Sequence, residues 1–219
     1  MKVGLLTCFD ENYKEIFDAT KKSKAKYCRD FGIDFLVFKY HLKDRTQHWG
    51  RILGIKKYLT QYDYLVYLDT DTAIINYKFD IRTLIDDDFN IITGPLPHQG
   101  HIGTNGLIIK NCEWSYKYLD IWWDQKRFID EPYYGSPSCG TTDDGGLSIP
   151  PSKWIFYEQS AFHFLYDEDI EFRSKVKLVD RQYMHSVSKT FCKDHFLIHV
   201  PGMDKKEKLR CLKQFCMKL

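Results

Sequence analysis

The chain has 219 residues, of which 43% are hydrophobic and 16% aromatic, with 32 lysines and arginines against 30 acids and a formal net charge of +2. A length of this order suits one domain, able to bury about 70% of the surface that its unfolded chain exposes. The apolar content excludes a disordered tail, a mean hydropathy of −0.45 excludes an integral membrane protein, and the nearly balanced charge offers no basic field for nucleic acid, so no such partner is expected.

In chain order, Val3 to Cys8 reads as a buried first strand, and residues 11–31 place Ile16, Phe17, Thr20, Tyr27 and Phe31 near one helical face. Gly32 stops that helix, and Asp34 to Tyr40 reads as a second strand. His48 to Gln61 has helical spacing through Ile52, Ile55, Tyr58 and Leu59, and leads into the most hydrophobic strand, Tyr64 to Leu68. Phe89 to Thr93 and Gly106 to Ile109 follow as strands, with a helix from about Glu113 to Arg127. Residues 131–153, with four glycines, read as a long loop of the kind that is usually functional or disordered. Glu158 to Tyr166 is a further helix, Lys177 to Leu178 starts a weak strand, and Phe196 to Val200 is a last strand ahead of a lysine-rich terminal helix. Alternating strands and helices imply an α/β fold, a mainly parallel sheet covered on both faces, with ligands at the carboxyl ends of the strands.

Charge is distributed unevenly along this plan. Residues 61–90 hold seven aspartates, whereas residues 203–219 hold six basic residues against Asp204 and Glu207. Such a pairing suits a metal meeting a polyanionic ligand, although solvated surface accounts for most charge of this kind. Asp86, Asp87 and Asp88 fit a solvated turn or helix cap. The seven scattered cysteines form no C-x-x-C pair and are expected to be reduced thiols. The first apolar run is too short for a signal peptide, and no window approaches the ~18 apolar residues of a membrane span, so no intrinsic membrane anchor and a cytoplasmic location are expected.

Two groups of residues carry chemistry. Asp69 and Asp71 bracket Thr70 directly after the apolar strand, so that two carboxylates emerge at a strand end where a divalent cation would neutralise them. His199, Gly202 and Lys205 follow another apolar strand. Imidazole supplies a nitrogen ligand, glycine lets the backbone approach a phosphate, and lysine places a charge on it.

An apolar strand with D-x-D, an Asn-Gly strand, an acid-Gln helix start and a terminal H-x-x-G-x-x-K resemble, in that order, the retaining glycosyltransferases of the GT-A fold. The nearest likeness is to the fungal α-mannosyltransferase and plant xyloglucan xylosyltransferase family; glycogenin and the bacterial lipooligosaccharide galactosyltransferases are similar at greater distance. The segments that carry it, from Tyr27–Gly32 to His199–Lys205, span most of the chain in family order. The resemblance implies a single GT-A domain over 1–219 with a Rossmann-like mixed sheet, residues 1–75 forming a nucleotide-binding half and 76–219 an acceptor-side half. It implies Mn²⁺ or Mg²⁺ on Asp69, Asp71 and His199, with Gly202 and Lys205 holding the donor phosphates. Thr7, Phe9, Tyr13 and Thr70 would line the nucleotide pocket. Arg51 would lie near the donor's phosphate or sugar, and Asn105, Glu158 and Gln159 would surround the transferred hexose. The donor would be a nucleoside diphosphate sugar, UDP-linked, and the acceptor a hydroxyl of a glycan or glycoprotein.

Two rivals remain at this level. A D-x-D phosphohydrolase would use Asp69 as nucleophile and Asp71 as acid/base, but that chemistry expects its motif on the first strand with Thr or Val where Ala73 stands. A sugar- or nucleotide-binding module without turnover is the weaker reading, because ligands for both metal and diphosphate are intact. Trp122 and Trp123 read as the core and rim of a helix. His98, His101, Asp143 and Asp144 are candidates for the acceptor side.

Overall fold

The computed structural model describes residues 1–95, 102–129, 157–186 and 194–216. His98, His101, Asp143, Asp144 and the whole of 131–153 lie outside them. The first strand, β1 (Val3–Phe9), is buried along its whole length. It pairs in parallel with β2 (Asp34–Lys39) on one side and β3 (Tyr64–Leu68) on the other. Next to β3 runs the antiparallel β6 (Gly106–Lys110), which pairs with β5 (Ile91–Thr93), and β7 (Val176–Leu178) closes the sheet in parallel with β5. The strand order β2-β1-β3-β6-β5-β7 is the mixed, mainly parallel sheet expected.

Side-chain alternation divides the interior between two faces. Along β3, Leu65 and Tyr67 join Trp49, Ile52, Trp122 and Phe162 in one core. Tyr64, Val66 and Leu68 join Tyr27, Cys28 and Phe196 in the other. The first core lies under α2 (Gly50–Leu59), α3 (Glu113–Trp123) and α4 (Tyr157–Glu168); the second lies under α1 (Lys14–Phe31). A strand apolar on both faces reads as a continuous hydrophobic run, which is why β3 is so legible. Truncating Leu65, fully buried, to alanine would cost about 2–5 kcal/mol through the cavity left behind. Helix α2 lies close on β1 because position 54 is glycine: a Cβ there would sit 2.4 Å from the Cys8 sulfur.

Several boundaries differ from the sequence reading. Residues 11–13 form a 3-10 turn, not the first turn of α1, because the Asp10 side chain accepts from the Tyr13 N–H at 2.9 Å and caps a separate turn. Residues 47–49 form a second 3-10 turn ahead of α2, without a side-chain cap. Helix α3 stops at Trp123, short of Arg127, at Asp124, a poor helix former, and a 3-10 turn over 126–129 follows. Two short helices not anticipated from periodicity, α5 (Ile170–Ser174) and α6 (Arg181–Met184), are opened by Asp169 and Asp180 caps. The Asp86–Asp88 segment is a turn whose carboxylates pair with Lys177, Tyr64 and Lys110.

The largest difference concerns β4 (Thr72–Ile74), three residues directly after D-x-D. It pairs antiparallel with β8 (Leu197–His199) in a separate two-stranded sheet, with Thr72 opposite His199. That ladder brings a residue near the end of the chain beside the acidic corner. Behind it, α7 (Lys205–Cys216) packs Leu212 on a small core of Ile16, Ala73, Ile198 and Val200.

Candidate metal and diphosphate site

The backbone corner that carries Asp69 and Asp71 is clamped from beneath. Thr7 donates from its hydroxyl to the Leu68 carbonyl at 2.9 Å, and Thr70 donates to the Cys8 carbonyl at 2.6 Å. From α1, Thr20 donates to the Thr70 carbonyl at 2.7 Å, and the fully buried Lys24 ammonium donates to the Asp69 carbonyl at 2.7 Å. Buried carbonyls at the end of a strand need such donors. They hold the corner in one conformation from which both carboxylates project.

Asp71 is buried and meets an imidazole and an ammonium group. His199 Nε2 lies 3.3 Å from Asp71 Oδ1, and the Lys208 ammonium donates to Asp71 Oδ2. Burial alone would raise the Asp71 carboxyl, but His199 and Lys208 together hold it well below the usual carboxylate range. Burial would lower Lys208, yet Asp71 raises it above the ordinary lysine value. One ligand atom from each of Asp69, Asp71 and His199 lies within 4.8 Å of the others. Two carboxylates and an imidazole form an oxygen–nitrogen donor set of the kind Mn²⁺ and Mg²⁺ accept, so these residues fit the cation that a GT-A fold implies. Gly202, just beyond β8, has φ of +68°, a conformation that L side chains rarely adopt, and exposes its backbone to the same cavity.

Asp69 is neutralised differently. The Tyr67 hydroxyl donates to Asp69 Oδ1 at 2.5 Å, and Arg51 Nη2 lies 3.1 Å from the same oxygen. Arg51 is a buried fork: Nη1 donates to the carbonyl and hydroxyl of Thr104 at 2.8 and 2.9 Å, Nη2 also meets Glu158 at 3.2 Å, and Nε donates to the His48 carbonyl at 3.2 Å. Burial works against the guanidinium charge, but Asp69 and Glu158 outweigh it and raise the pKa well above the ordinary value. Glu158 enters from the first turn of α4, fixed by Trp122 Nε1, which donates to its carbonyl at 2.7 Å.

These groups line one cavity of about 450 Å³ at the carboxyl ends of β1 and β3. Of the expected site residues, Phe9, Tyr13, Arg51, Asp69, Thr70, Asp71, Glu158, Gln159, His199 and Gly202 all line it. Thr7, Asn105 and Lys205 are not among the lining residues. Thr7 serves the Leu68 backbone. Asn105 is buried beneath Asp69, whose N–H donates to its carbonyl at 2.8 Å; its amide donates to the Met184 carbonyl, and among the described residues its Oδ1 has no partner. Lys205 points outward to Glu15 at 2.8 Å, with both side chains about half exposed.

The sequence reading passed over Lys208, which lines the cavity where Lys205 was expected to. A usable signal existed, because Lys208 and the buried Leu212 lie four residues apart on the inward stripe of α7. Tyr67 and Lys24 were also passed over; both sat within segments read simply as core strand and helix. His48 and Tyr157, with rings stacked 4.9 Å apart, complete the wall beside Glu158. Among the described residues no helix is long and apolar enough to cross a membrane, and Cys8, Cys28 and Cys112 are free thiols.

Comparison with known proteins places this geometry. The chain is similar over 98% of its length to a glycosyltransferase involved in glycosylation of the major capsid of PBCV-1, with 15% identity, 100% of that chain covered and a TM-score of 0.72. It is also similar to the galactosyltransferase LgtC, solved with donor and acceptor sugar analogues, at 11% identity over 99% of this chain and 96% of that one, with a TM-score of 0.58. At these identities the likeness establishes the fold, that of the GT-A glycosyltransferases. In sequence, the chain is 22% identical over 112 residues to probable glycosyltransferase 6 of Oryza sativa subsp. japonica, a stretch covering 46% of this chain and 23% of the rice protein. Probable glycosyltransferase 7 of subsp. indica matches similarly, at 21% identity and 25% of its length. The aligned stretch thus spans about a quarter of these relatives. Residues 25–193 match the family model of DUF273, described as a protein of unknown function, and the chain, a GT-A fold with an Asp-Asp-His cluster at its strand ends, belongs to that family.

Proposed function

We propose that the protein is a metal-dependent glycosyltransferase that moves a hexose from a nucleoside diphosphate sugar, UDP-linked, to a hydroxyl of a glycan or glycoprotein, with retention of anomeric configuration. The observation that carries this reading is the convergence of Asp69, Asp71, His199, Gly202 and Lys208 on one cavity at the sheet's carboxyl edge. Cation ligands and diphosphate partners together are what departure of a nucleoside diphosphate requires.

Asp69, Asp71 and His199 would hold Mn²⁺ or Mg²⁺, which when bound neutralises charge developing on the leaving diphosphate. The chain's own residues supply the rest. The Gly202 backbone and the Lys208 ammonium face the phosphates, with Lys208 taking the part that motif spacing gives to Lys205. Phe9 and Tyr13 form the wall against which a nucleoside base packs, and Thr70 fixes the turn between the two carboxylates. Arg51, locked by Thr104, Asp69 and Glu158, presents a fixed positive charge next to the reacting sugar. Preorganised charge of this kind does not reorganise during reaction, and one such contact is worth about 3–4 kcal/mol in the transition state. Glu158 and Gln159, at the start of α4, are the groups nearest the anomeric centre in this reading. Asn105 acts from beneath, carrying the Asp69 backbone. Residues 1–75 then form the nucleotide half of the site, and later residues bring His199, Lys208 and the acceptor wall.

The phosphohydrolase alternative is not favoured: that chemistry expects its motif after the first strand, whereas here D-x-D follows β3, the third strand of the chain. The test is incubation with Mn²⁺ and a panel of nucleotide sugars, monitoring nucleoside diphosphate release before and after chelation with EDTA. Metal-dependent release from one donor is the expected result. Absence of both release and binding with every donor in the panel would sink the reading.

A further inference from the structure

The D-x-D site already holds a cation of its own. Lys208 Nζ is hydrogen-bonded to Asp71 Oδ2, one of the two oxygens through which Asp71 can meet a metal. The lysine and aspartate side chains are 7% and 9% exposed, so the pair is largely shielded from water. The other Asp71 oxygen faces His199 at 3.3 Å. Both oxygens of the carboxylate are thus engaged by the protein's own side chains. Asp69, by contrast, is neutralised by Arg51, which four other acceptors pin in place. Among the described residues Lys208 has no such cage. It reaches in from the first turn of α7, with the Tyr13 ring 5.5 Å away, and its stem is flexible.

We propose that Lys208 is a resident placeholder cation: it occupies Asp71 in the metal-free protein, gives up the carboxylate when a divalent ion binds, and is thereby released into the same cavity to pair with the donor diphosphate. This rests on the reading of the site as a metal and diphosphate centre, and it adds an order to it. A buried carboxylate left without a partner is costly, so the metal-free protein keeps one in place. The exchange conserves charge pairing, because the carboxylate passes from ammonium to metal and the ammonium passes from carboxylate to phosphate. The metal therefore competes with Lys208 for Asp71, while metal and nucleotide favour each other.

The proposal separates Lys208 from a lysine that only binds phosphate and from one that only supports the fold. Mn²⁺ binding without nucleotide, followed by the loss of free-ion electron paramagnetic resonance signal, is expected to tighten about tenfold in Lys208→Met, since the competitor and its charge are gone. With Mn²⁺ saturating, nucleoside diphosphate affinity in the same variant is expected to fall about tenfold. Lys208→Arg keeps a cation on Asp71 and is expected to bind Mn²⁺ within about twofold of wild type. A second measurement needs no variant: acetic anhydride labelling of the wild-type protein, read by mass spectrometry, should modify Lys208 faster with Mn²⁺ than without, and nucleoside diphosphate should protect it again. If wild type binds Mn²⁺ but Lys208→Met binds it no more tightly, or if Lys208 labelling ignores the metal, the placeholder role is overturned and the functional reading stands. Failure of wild type to bind Mn²⁺ at all overturns both.

Discussion

The two aspartates of D-x-D are two residues apart and are neutralised in opposite ways. Asp69 meets a guanidinium fixed by the backbone carbonyls of His48 and Thr104, the Thr104 hydroxyl and Glu158. Asp71 meets the ammonium of Lys208, carried on the first turn of a helix whose other residues are largely exposed. Arginine offers five donors in a planar fork and stays charged, while lysine is a point charge on a flexible stem. One carboxylate is thereby built permanently into the architecture. The other is paired with a group that can leave.

The strongest way to break this contrast is to remove the fixed partner. Arg51→Met would leave the buried Glu158 and the partly buried Asp69 without their cation, and a loss of about 3–5 kcal/mol in unfolding free energy is expected by denaturant titration. Arg51→Lys should recover less than half of that loss, because an ammonium cannot serve all the acceptors at once. Stability of Arg51→Met within about 1 kcal/mol of wild type would show that the cage is not structural. Next comes the ligand itself. Asp71→Asn keeps the shape of the side chain and removes its charge, and metal-dependent donor hydrolysis should fall about 100-fold or more. Full activity in that variant would remove Asp71 from the metal site.

A smaller effect sharpens the comparison through pH. The pKa of Lys208 is raised in the folded protein, mainly because Asp71 outweighs the penalty of burial. Its contribution is therefore complete below the unfolded value of 10.5 and is lost as pH rises through the folded value. The carboxyl of Asp71 is lowered, so its side of the pair is complete above 3.8 and is lost only as pH falls through the folded value. The stability difference between wild type and Lys208→Met, about 1–3 kcal/mol at neutral pH, should hold steady from about pH 5 to 10 and shrink above that. The difference between wild type and Arg51→Met should not shrink over the same alkaline range, since the guanidinium stays charged. Parallel curves for the two variants would mean that the two partners are not distinct in kind.

How much of this could be read in advance follows the range of each interaction. Strands β1, β3 and β6 were legible because burial on both faces leaves continuous apolar runs, and α1 and α2 because their inward positions recur at helical spacing. Strand β4 was not: three residues carry no period, and its partner β8 lies more than 120 positions away, so nothing local marks the ladder that sets His199 beside Asp71. The acidic pair, His199 and Gly202 were visible as a pattern, and all four line the cavity. Thr7 and Asn105 were expected there as well, yet they support backbone beneath it. From the chain alone, a residue that touches a ligand and one that holds the residue touching it look the same.

The lysines of α7 show the same limit most sharply and give the smallest expected effect. Spacing from His199 and Gly202 selects Lys205, whereas the face of the helix selects Lys208: the buried Leu212 lies one turn beyond Lys208, and Lys205 falls on the solvent side with Glu15. Helical phase should decide, because a side chain on the outer face cannot reach a cavity on the inner one. An exposed lysine–glutamate pair is worth little, so Lys205→Met should change unfolding free energy by less than about 0.5 kcal/mol. Nucleoside diphosphate affinity in the presence of Mn²⁺ should stay within about twofold of wild type, against the roughly tenfold loss expected for Lys208→Met. Isothermal titration calorimetry on the two variants side by side measures this directly. A large loss for Lys205→Met with none for Lys208→Met would return the phosphate contact to the motif position and leave Lys208 with a structural part alone.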